Sequence, residues 1–395
     1  MLRTKYFLLL IILTFSCSSS DNNLYIFEIG DIGNNKITLS EIADSIIYIP
    51  LDDTIPIGVY YDIKIINNNI FISGKEIGLL TFDMEGQMQR EIGREGRGPD
   101  EYLHCTSFDV DSTKGIVYIL DMGRNIKVYA GDGSYIKEIS LKKYEDLENT
   151  EFFVDLNCYN DKIILSEYIC MGVGKYNWIV LDTLGNLITS KENSVKAFKS
   201  NSYILGGTYK FNNRIFYYNQ YNDTVFSISP DFNYEASFLM GTGKERLPRA
   251  QFNGLNDWKN FIVIKSIFET KKFRIIYYSY KSKRQLAFIN KKNHTTYLIN
   301  ERINNNAETS PGFTGGIIND LDGGIMFQPQ QYIIKDNHEY IIELIPADIL
   351  KIYTNSSEFR NSFPKYPEKK NTLEKLANSL KETDNPVLVL VRLKK

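Results

Sequence analysis

Few side chains in this sequence are of the kinds that do chemistry, and they are not grouped. The three histidines, His104, His294 and His338, lie far apart, and none has the carboxylate or cysteine spacing of a metal site. The four cysteines are Cys17, Cys105, Cys158 and Cys170. With Cys17 set aside the count is odd, which gives no disulfide framework. Cys158 and Cys170, on neighbouring strands, read as buried free thiols. The chain has no GxSxG elbow, no Cys–His signature and no HExxH helix. Acids such as Glu101 and Asp109 are too common to single out as a glycosidase pair. The sequence therefore nominates no catalytic residue, no metal and no cofactor.

The densest run of ionisable side chains is Ile92–Tyr102, IGREGRGPDEY. Arg94, Arg97 and Glu101 sit among three glycines, followed by Tyr102. Arginine forks at such a loop suit carboxylates or sugar hydroxyls. The stretch is not a phosphate loop, because it lacks the Lys-Ser/Thr end and Pro99 interrupts a helix start. The competing reading is structural. The arginines and acids pair with each other and with loop carbonyls, and Gly93, Gly96 and Gly98 take backbone conformations closed to other residues. The structural reading is preferred, with Arg94, Arg97, Glu101 and Tyr102 as the candidate binding or structural loop. Asp121, Arg124 and Asn125 join that candidate set. They follow a strand, where they line a rim or, as preferred, satisfy tight-turn amides. In the tyrosine pairs Tyr60-Tyr61, Tyr217-Tyr218 and Tyr277-Tyr278, neighbours on a strand point to opposite faces. One of each pair is expected to pack inward.

These residues need elements to position them. The chain has 395 residues, 43% apolar, with a net charge of −2. That balance argues against nucleic acid as a partner, since phosphate binding wants a basic surplus. Frequent Tyr, Phe and Ile favour strands. Arg3 and Lys5 precede the apolar run Tyr6–Phe15, a secretory signal too short for a comfortable membrane span. Leu13-Thr14-Phe15-Ser16-Cys17 resembles a bacterial lipobox, with Phe15 where a smaller residue is usual. The expectation is a signal peptide over 1–16, lipidation at Cys17, a polar tether over 17–23 and a folded unit over 24–395.

From Tyr61 a pattern of four short strands recurs. Turns between third and fourth strands fall near residues 86, 133, 185, 233 and 293, spaced 47, 52, 48 and 60 apart. A period of about 45–50 residues with four strands per period predicts an all-β propeller. Five units are visible. The sixth is expected to take its first two strands from 315–328, its third from Val387–Leu393 and its fourth from Ser45–Leu51. Residues 331–385 then form a partly helical insertion. Pro346 marks one helix start, and Leu373, Leu376, Ala377 and Leu380 mark an amphipathic helix over Thr372–Lys381. Joining the two chain ends in one blade closes the ring and leaves no open edge.

GREGRGPDEY, with Phe108–Asp111, Val117–Asp121, Arg124–Tyr129 and Gly131–Gly133, resembles an NHL-type propeller repeat. Together with the lipobox, the Tyr48–Leu51 segment and the ending Asp384–Lys394, it is similar to the six-bladed β-propeller lipoproteins of Bacteroidetes. The match is specific over 45–141 and at the C-terminus, and only strand rhythm survives over 150–310. The resemblance implies a six-bladed propeller in the cell envelope, lipid-anchored to the outer membrane, and supplies no substrate. Two function classes follow. One is a binding or scaffolding lipoprotein for a glycan, peptide or envelope protein, touching the membrane through its anchor only. The other is an NHL-like propeller enzyme, a lyase or hydrolase, with its site at the central channel. The first leads because no catalytic constellation is visible.

Overall fold

The computed structural model describes residues 24–28, 36–144, 153–159, 161–168, 172–199, 206–250, 255–305 and 312–395. Cys17, with the leader and tether, and Cys170 lie outside them.

Six four-stranded antiparallel sheets form the blades of a ring. Blade I comprises Tyr60–Ile66, Asn69–Gly74, Gly78–Phe82 and Met88–Glu91; blade II, Cys105–Asp111, Ile116–Asp121, Asn125–Tyr129 and Tyr135–Ser140. Blade III comprises Asp155–Tyr159, Lys162–Ser166, Tyr176–Leu181 and Leu187–Glu192; blade IV, Gly207–Phe211, Arg214–Tyr218, Thr224–Ile228 and Tyr234–Leu239. Blade V comprises Val263–Glu269, Phe273–Tyr280, Lys283–Asn290 and Thr296–Asn300. In each, the first strand lies innermost and the fourth at the rim. Blade VI is assembled from both chain ends: Gln331–Lys335, His338–Ile345, Val387–Leu393 and, at its rim, Ala43–Pro50. The N-terminal Tyr25–Ile26 adds a fifth strand to the rim of blade IV, parallel to Tyr234–Leu239.

The strand sequences match these positions. Middle strands are sandwiched between neighbouring blades and are apolar on both faces, so Gly78–Phe82 and Tyr176–Leu181 are buried at every residue. Rim strands such as Met88–Glu91 and Leu187–Glu192 are polar and largely exposed. Six of the seven core clusters of the described residues lie one at each blade-to-blade interface. Trp178 and Tyr217, for instance, pack between blades III and IV at 5.1 Å between ring centroids. The third-to-fourth-strand turns of blades I to IV are closed by aspartates. Asp83 accepts the Glu85 and Gln87 amides at 3.0 and 2.8 Å, and Asp182 accepts those of Leu184 and Asn186 at 2.9 and 2.8 Å.

Closure by the two chain ends agrees with expectation, but the first two strands of blade VI do not. They are Gln331–Lys335 and His338–Ile345, not 315–328. Gly315, Gly316 and Gly323 hold positive φ of 91°, 88° and 75°, which breaks the 315–328 stretch into a loop with two isolated bridges, Ile317 to Phe327 and Ile318 to Thr38. Its apolar residues Ile317, Leu321, Ile325 and Phe327 are buried all the same, beneath the helical insertion. The insertion is shorter than expected: α1 is Leu39–Ile42 near the N-terminus, and α2 Ala347–Thr354, α3 Ser357–Arg360 and α4 Pro367–Ser379 fill the space between the second and third strands of blade VI. Pro346 caps α2, as expected, and Pro367 opens α4 five residues before the expected start. Leu350, Tyr353, Phe359, Leu373 and Ala377 face the V–VI cluster. Lys351 Nζ donates to the Leu380 carbonyl at 2.5 Å, placing a cation at the C-terminal end of α4.

Candidate functional site

The six innermost strands enclose a central cavity of about 320 Å³. Each strand contributes the side chains of one face, so polar residues recur at i and i+2: Asp62 with Lys64, Ser107 with Asp109, Asp155 with Asn157, and Thr208 with Lys210. Gln331 of blade VI and Ser266 of blade V complete the lining.

Asp109 is the centre of this group. It is 1% exposed, and its Oδ2 accepts the Cys158 amide of blade III at 2.6 Å. Lys210 of blade IV reaches past blade III to pair with the same carboxylate, and donates to the Cys158 carbonyl at 3.0 Å. Lys64 of blade I donates to the Phe108 carbonyl at 2.5 Å and stands 3.8 Å from Asp109 and 3.6 Å from Asp62. Burial alone would raise the Asp109 carboxyl, but Lys210 and Lys64 hold it below the usual carboxylate range. Burial likewise works against the Lys64 ammonium, and the surrounding carboxylates, Asp109 first, outweigh it and keep its pKa raised. Asp62 is the opposite case: burial pushes its carboxyl up and Lys64 only partly offsets this.

Asp155 is saturated with donors. Ser107 Oγ reaches it at 2.8 Å, Tyr168 OH at 2.9 Å and the Leu156 amide at 2.9 Å, and Thr208 Oγ1 also bonds it. Gln331 Nε2 donates to Asp62 at 2.6 Å and Tyr209 OH to Glu269 at 2.8 Å. The cavity thus presents two amines, three carboxylates and several amides and hydroxyls, held by blade-to-blade bonds.

A second cavity, about 590 Å³, opens among the first-to-second-strand turns of blades II to IV. Asp111, Tyr159, Asp161 and Arg214 line it, and Lys210 lines both cavities, standing as the partition between them. Cys158 also lines it. Burial and the Asp109 charge keep this thiol protonated, as burial does for Cys105, so neither supplies a thiolate nucleophile. Among the described residues no group of three or more His, Cys, Asp or Glu is placed to hold a metal ion.

The residues singled out in the sequence lie elsewhere. Tyr102 is fully buried; its OH accepts the Leu79 amide at 3.0 Å and donates to the Ile92 carbonyl at 3.2 Å. Glu101 accepts the Gly98 amide at 2.7 Å, and a Cβ on Gly96 would stand 2.0 Å from that carboxylate. Gly93 has φ +62° and lies against the Tyr129 ring. Asp121, 5% exposed, accepts the Leu103 and His104 amides at 2.9 and 3.0 Å; burial raises its carboxyl. Asn125 pairs with Asp121 across the blade II hairpin, and the Arg124 carbonyl accepts the Leu141 amide at 3.0 Å. Arg94, Arg97 and Arg124 are exposed, and none joins an ion pair among the described residues. The expected pairing of the loop arginines with its acids is therefore absent there, while backbone bonds carry the crossing. None of these residues lines the central cavity. The polar i, i+2 pairs on the first strands of blades I to IV are a signal of this cavity that the sequence carries.

Six four-stranded blades in a ring around a small charged cavity define a six-bladed β-propeller. The sequence matches the model of a family described as "Domain of unknown function (DUF4934)" over residues 24–392, and the chain belongs to that family. No curated protein matches it. Among solved structures it is similar to a Bacteroides fragilis NCTC 9343 protein whose name marks it as exported, at 19% identity and a TM-score of 0.66, covering 94% of this chain and 99% of that one. It is also similar to a DUF4221 family member from Bacteroides vulgatus ATCC 8482, at 12% identity and a TM-score of 0.52, covering 92% and 99%. These likenesses establish the fold.

Proposed function

We propose that this protein is an exported envelope lipoprotein whose propeller binds a glycan, peptide or protein partner at the central cavity. The carrying observation is the cavity itself, lined by all six inner strands and furnished with charges of both signs. Its volume of about 320 Å³ suits one sugar residue or one amino-acid side chain of a larger ligand, at the small end of ligand pockets. Part-exposed Lys64 and Lys210 offer donors to a carboxylate, and Gln331 and Asn157 offer donors and acceptors to hydroxyls or amides. The signal-like leader and lipobox-like Cys17 support export and anchoring, and the name of the Bacteroides fragilis neighbour supports export. Binding leads over catalysis because the carboxylates are engaged by amines and backbone amides, and the cavity is lined by no histidine.

Two experiments test this. Cys17→Ser is expected to move the protein from the membrane to the soluble fraction; unchanged fractionation overturns the anchor. The soluble form is then screened on glycan and peptide arrays beside Ser266→Phe, which fills the cavity from blade V. A true ligand loses at least tenfold in affinity while the melting temperature holds. Ligands indifferent to Ser266→Phe would remove the cavity from the proposal, and turnover of a bound compound would favour a lyase or hydrolase instead.

A further inference from the structure

The first described residues of the chain join the fold at one defined place, the rim of blade IV, and this bears on which face of the ring meets the bilayer. Tyr25 pairs with Phe238 and Ile26 with Leu239, in parallel, at the rim of blade IV. Phe27 is 1% exposed and locks the segment between blades IV and V, its ring 5.7 Å from that of Tyr278. Strand Tyr234–Leu239 begins at the Asp231 turn, on the face that carries the first-to-second and third-to-fourth strand turns. Because Tyr25–Ile26 runs parallel to the last two residues of that strand, the backbone at Tyr25 is directed back toward that same face. Tyr25 confirms the direction by stacking on His294 of the blade V third-to-fourth turn, at 4.8 Å and 11°.

Cys17 stands eight residues before Tyr25. Eight residues reach at most about 28 Å. From Tyr25, beside Phe238, the run back along the rim strand to its start at Tyr234 takes about 13 Å, so this reach extends to the strand-turn face.

The turn chemistry on this face changes at the exit point. Blades I to IV close their third-to-fourth turns with Asp83, Asp132, Asp182 and Asp231. Blade V has Lys291-Lys292-Asn293-His294 instead, and its neighbouring turn has Lys271-Lys272. The two turns touch, the Lys291 amide donating to the Lys272 carbonyl at 2.9 Å. Lys291 is engaged by Glu269, but Lys271, Lys272 and Lys292 are exposed and join no ion pair among the described residues. Nearby acids are engaged: Glu235 pairs with Arg214 at 2.7 Å, and Glu339 accepts the Lys271 amide at 2.8 Å and Tyr332 OH at 2.7 Å.

We propose that the blade V turns bearing Lys271, Lys272 and Lys292 seat against anionic lipid headgroups, so that the blade V sector of the strand-turn face lies nearest the membrane and the blade-crossing face, with Arg94 and Arg97, points away. This rests on the lipid-anchor reading above. Each lysine at an anionic surface is worth about fivefold in partitioning.

The test has two arms. The lipid-free Cys17→Ser chain is sedimented with vesicles of phosphatidylethanolamine and phosphatidylglycerol (3:1) or of phosphatidylcholine alone, at low salt. Binding to the anionic vesicles is expected, lowered roughly a hundredfold when Lys271, Lys272 and Lys292 are all changed to Gln. In the second arm the full lipidated chain, with Cys158 and Cys170 changed to serine, carries a donor dye at Asn293→Cys or at Arg97→Cys in vesicles holding a headgroup acceptor. Transfer is expected to be markedly higher from position 293. Equal or reversed transfer, or triple-variant binding like that of the parent, overturns the proposal. Retention of Cys17→Ser in cell membranes washed at high salt, which releases lysine-held protein, would instead overturn the anchor, so the two failures are distinguishable.

Discussion

The Tyr102 hydroxyl accepts the Leu79 amide and donates to the Ile92 carbonyl inside the interface of blades I and II. Tyr102→Phe keeps the ring and strands both backbone groups away from water. The expected cost is about 1–3 kcal/mol, read as a lowered urea midpoint with an unchanged slope. Arg97→Ala, five residues away and exposed, is expected to change stability by no more than about 0.5 kcal/mol. An equal loss from both would mean that the loop charges, not the buried phenol, hold the crossing. At this scale the sequence was half legible. The glycines and aromatic of Ile92–Tyr102 announced a crossing because backbone demands are local. The arginines' partners were not legible, because where a long side chain ends depends on the surrounding blades. The same holds for Asp109, whose strand FDVD gives no hint of the lysines that reach it from blades I and IV.

Blade VI shows what an element's sequence conveys. Val387–Leu393 pairs with His338–Ile345 on one side and with Ala43–Pro50 on the other, and all but one of its residues are buried. An apolar run of that length between turn signals reads as a doubly covered strand, which is its place in the fold. Gln331–Lys335 and His338–Ile345 were missed although they carry a hairpin signal: Asp336 and Asn337 both take positive φ, 49° and 58°, as a two-residue turn requires. The polar residues at either end of this pair obscured the strands, while the apolar loop 315–328 imitated them. Removing Val387–Lys395 takes out the strand that joins the chain ends. It leaves Ala43–Pro50 without a partner and two inter-blade clusters exposed. Size-exclusion chromatography should then find aggregate and no monomer. A truncated chain that stays monomeric with the parent's melting curve would mean that the ring does not depend on this strand.

Across the whole molecule, a belt of polar bonds runs round the axis and ties every blade to the next. Lys64 links I to II; Asp109 and Ser107 link II to III. Asn157 meets Thr208 at 2.7 Å between III and IV, and Tyr209 meets Glu269 between IV and V. The Lys271 amide meets Glu339 between V and VI, and Gln331 meets Asp62 to complete the circle. Such a belt makes ring stability respond to pH in two opposed ways. Asp109 and Glu269 are held below the usual range by their lysine and arginine partners, in spite of burial. Their contribution is present above about pH 4 and is lost as pH falls further. Glu343 has the opposite sign. It is 1% exposed, and burial pushes its carboxyl up to about 6, although Arg302 pairs with it at 2.6 Å and the Gln328 amide donates to it at 2.8 Å. The folded state therefore takes up this proton before the unfolded chain does. Stability from Glu343 is complete below about pH 4.5 and is lost as pH rises through about 6, about 2 kcal/mol in all. Asp62 and Asp322, raised by burial, add in the same direction. Urea unfolding at pH 5 and at pH 7.5 should then find the protein more stable at pH 5. Glu343→Gln cannot take up the proton, so the gain between the two pH values should shrink by most of that 2 kcal/mol, whatever its absolute stability. An undiminished gain in Glu343→Gln would place the acid-side stabilisation on Asp62 and Asp322, at the cavity and beneath the helical insertion.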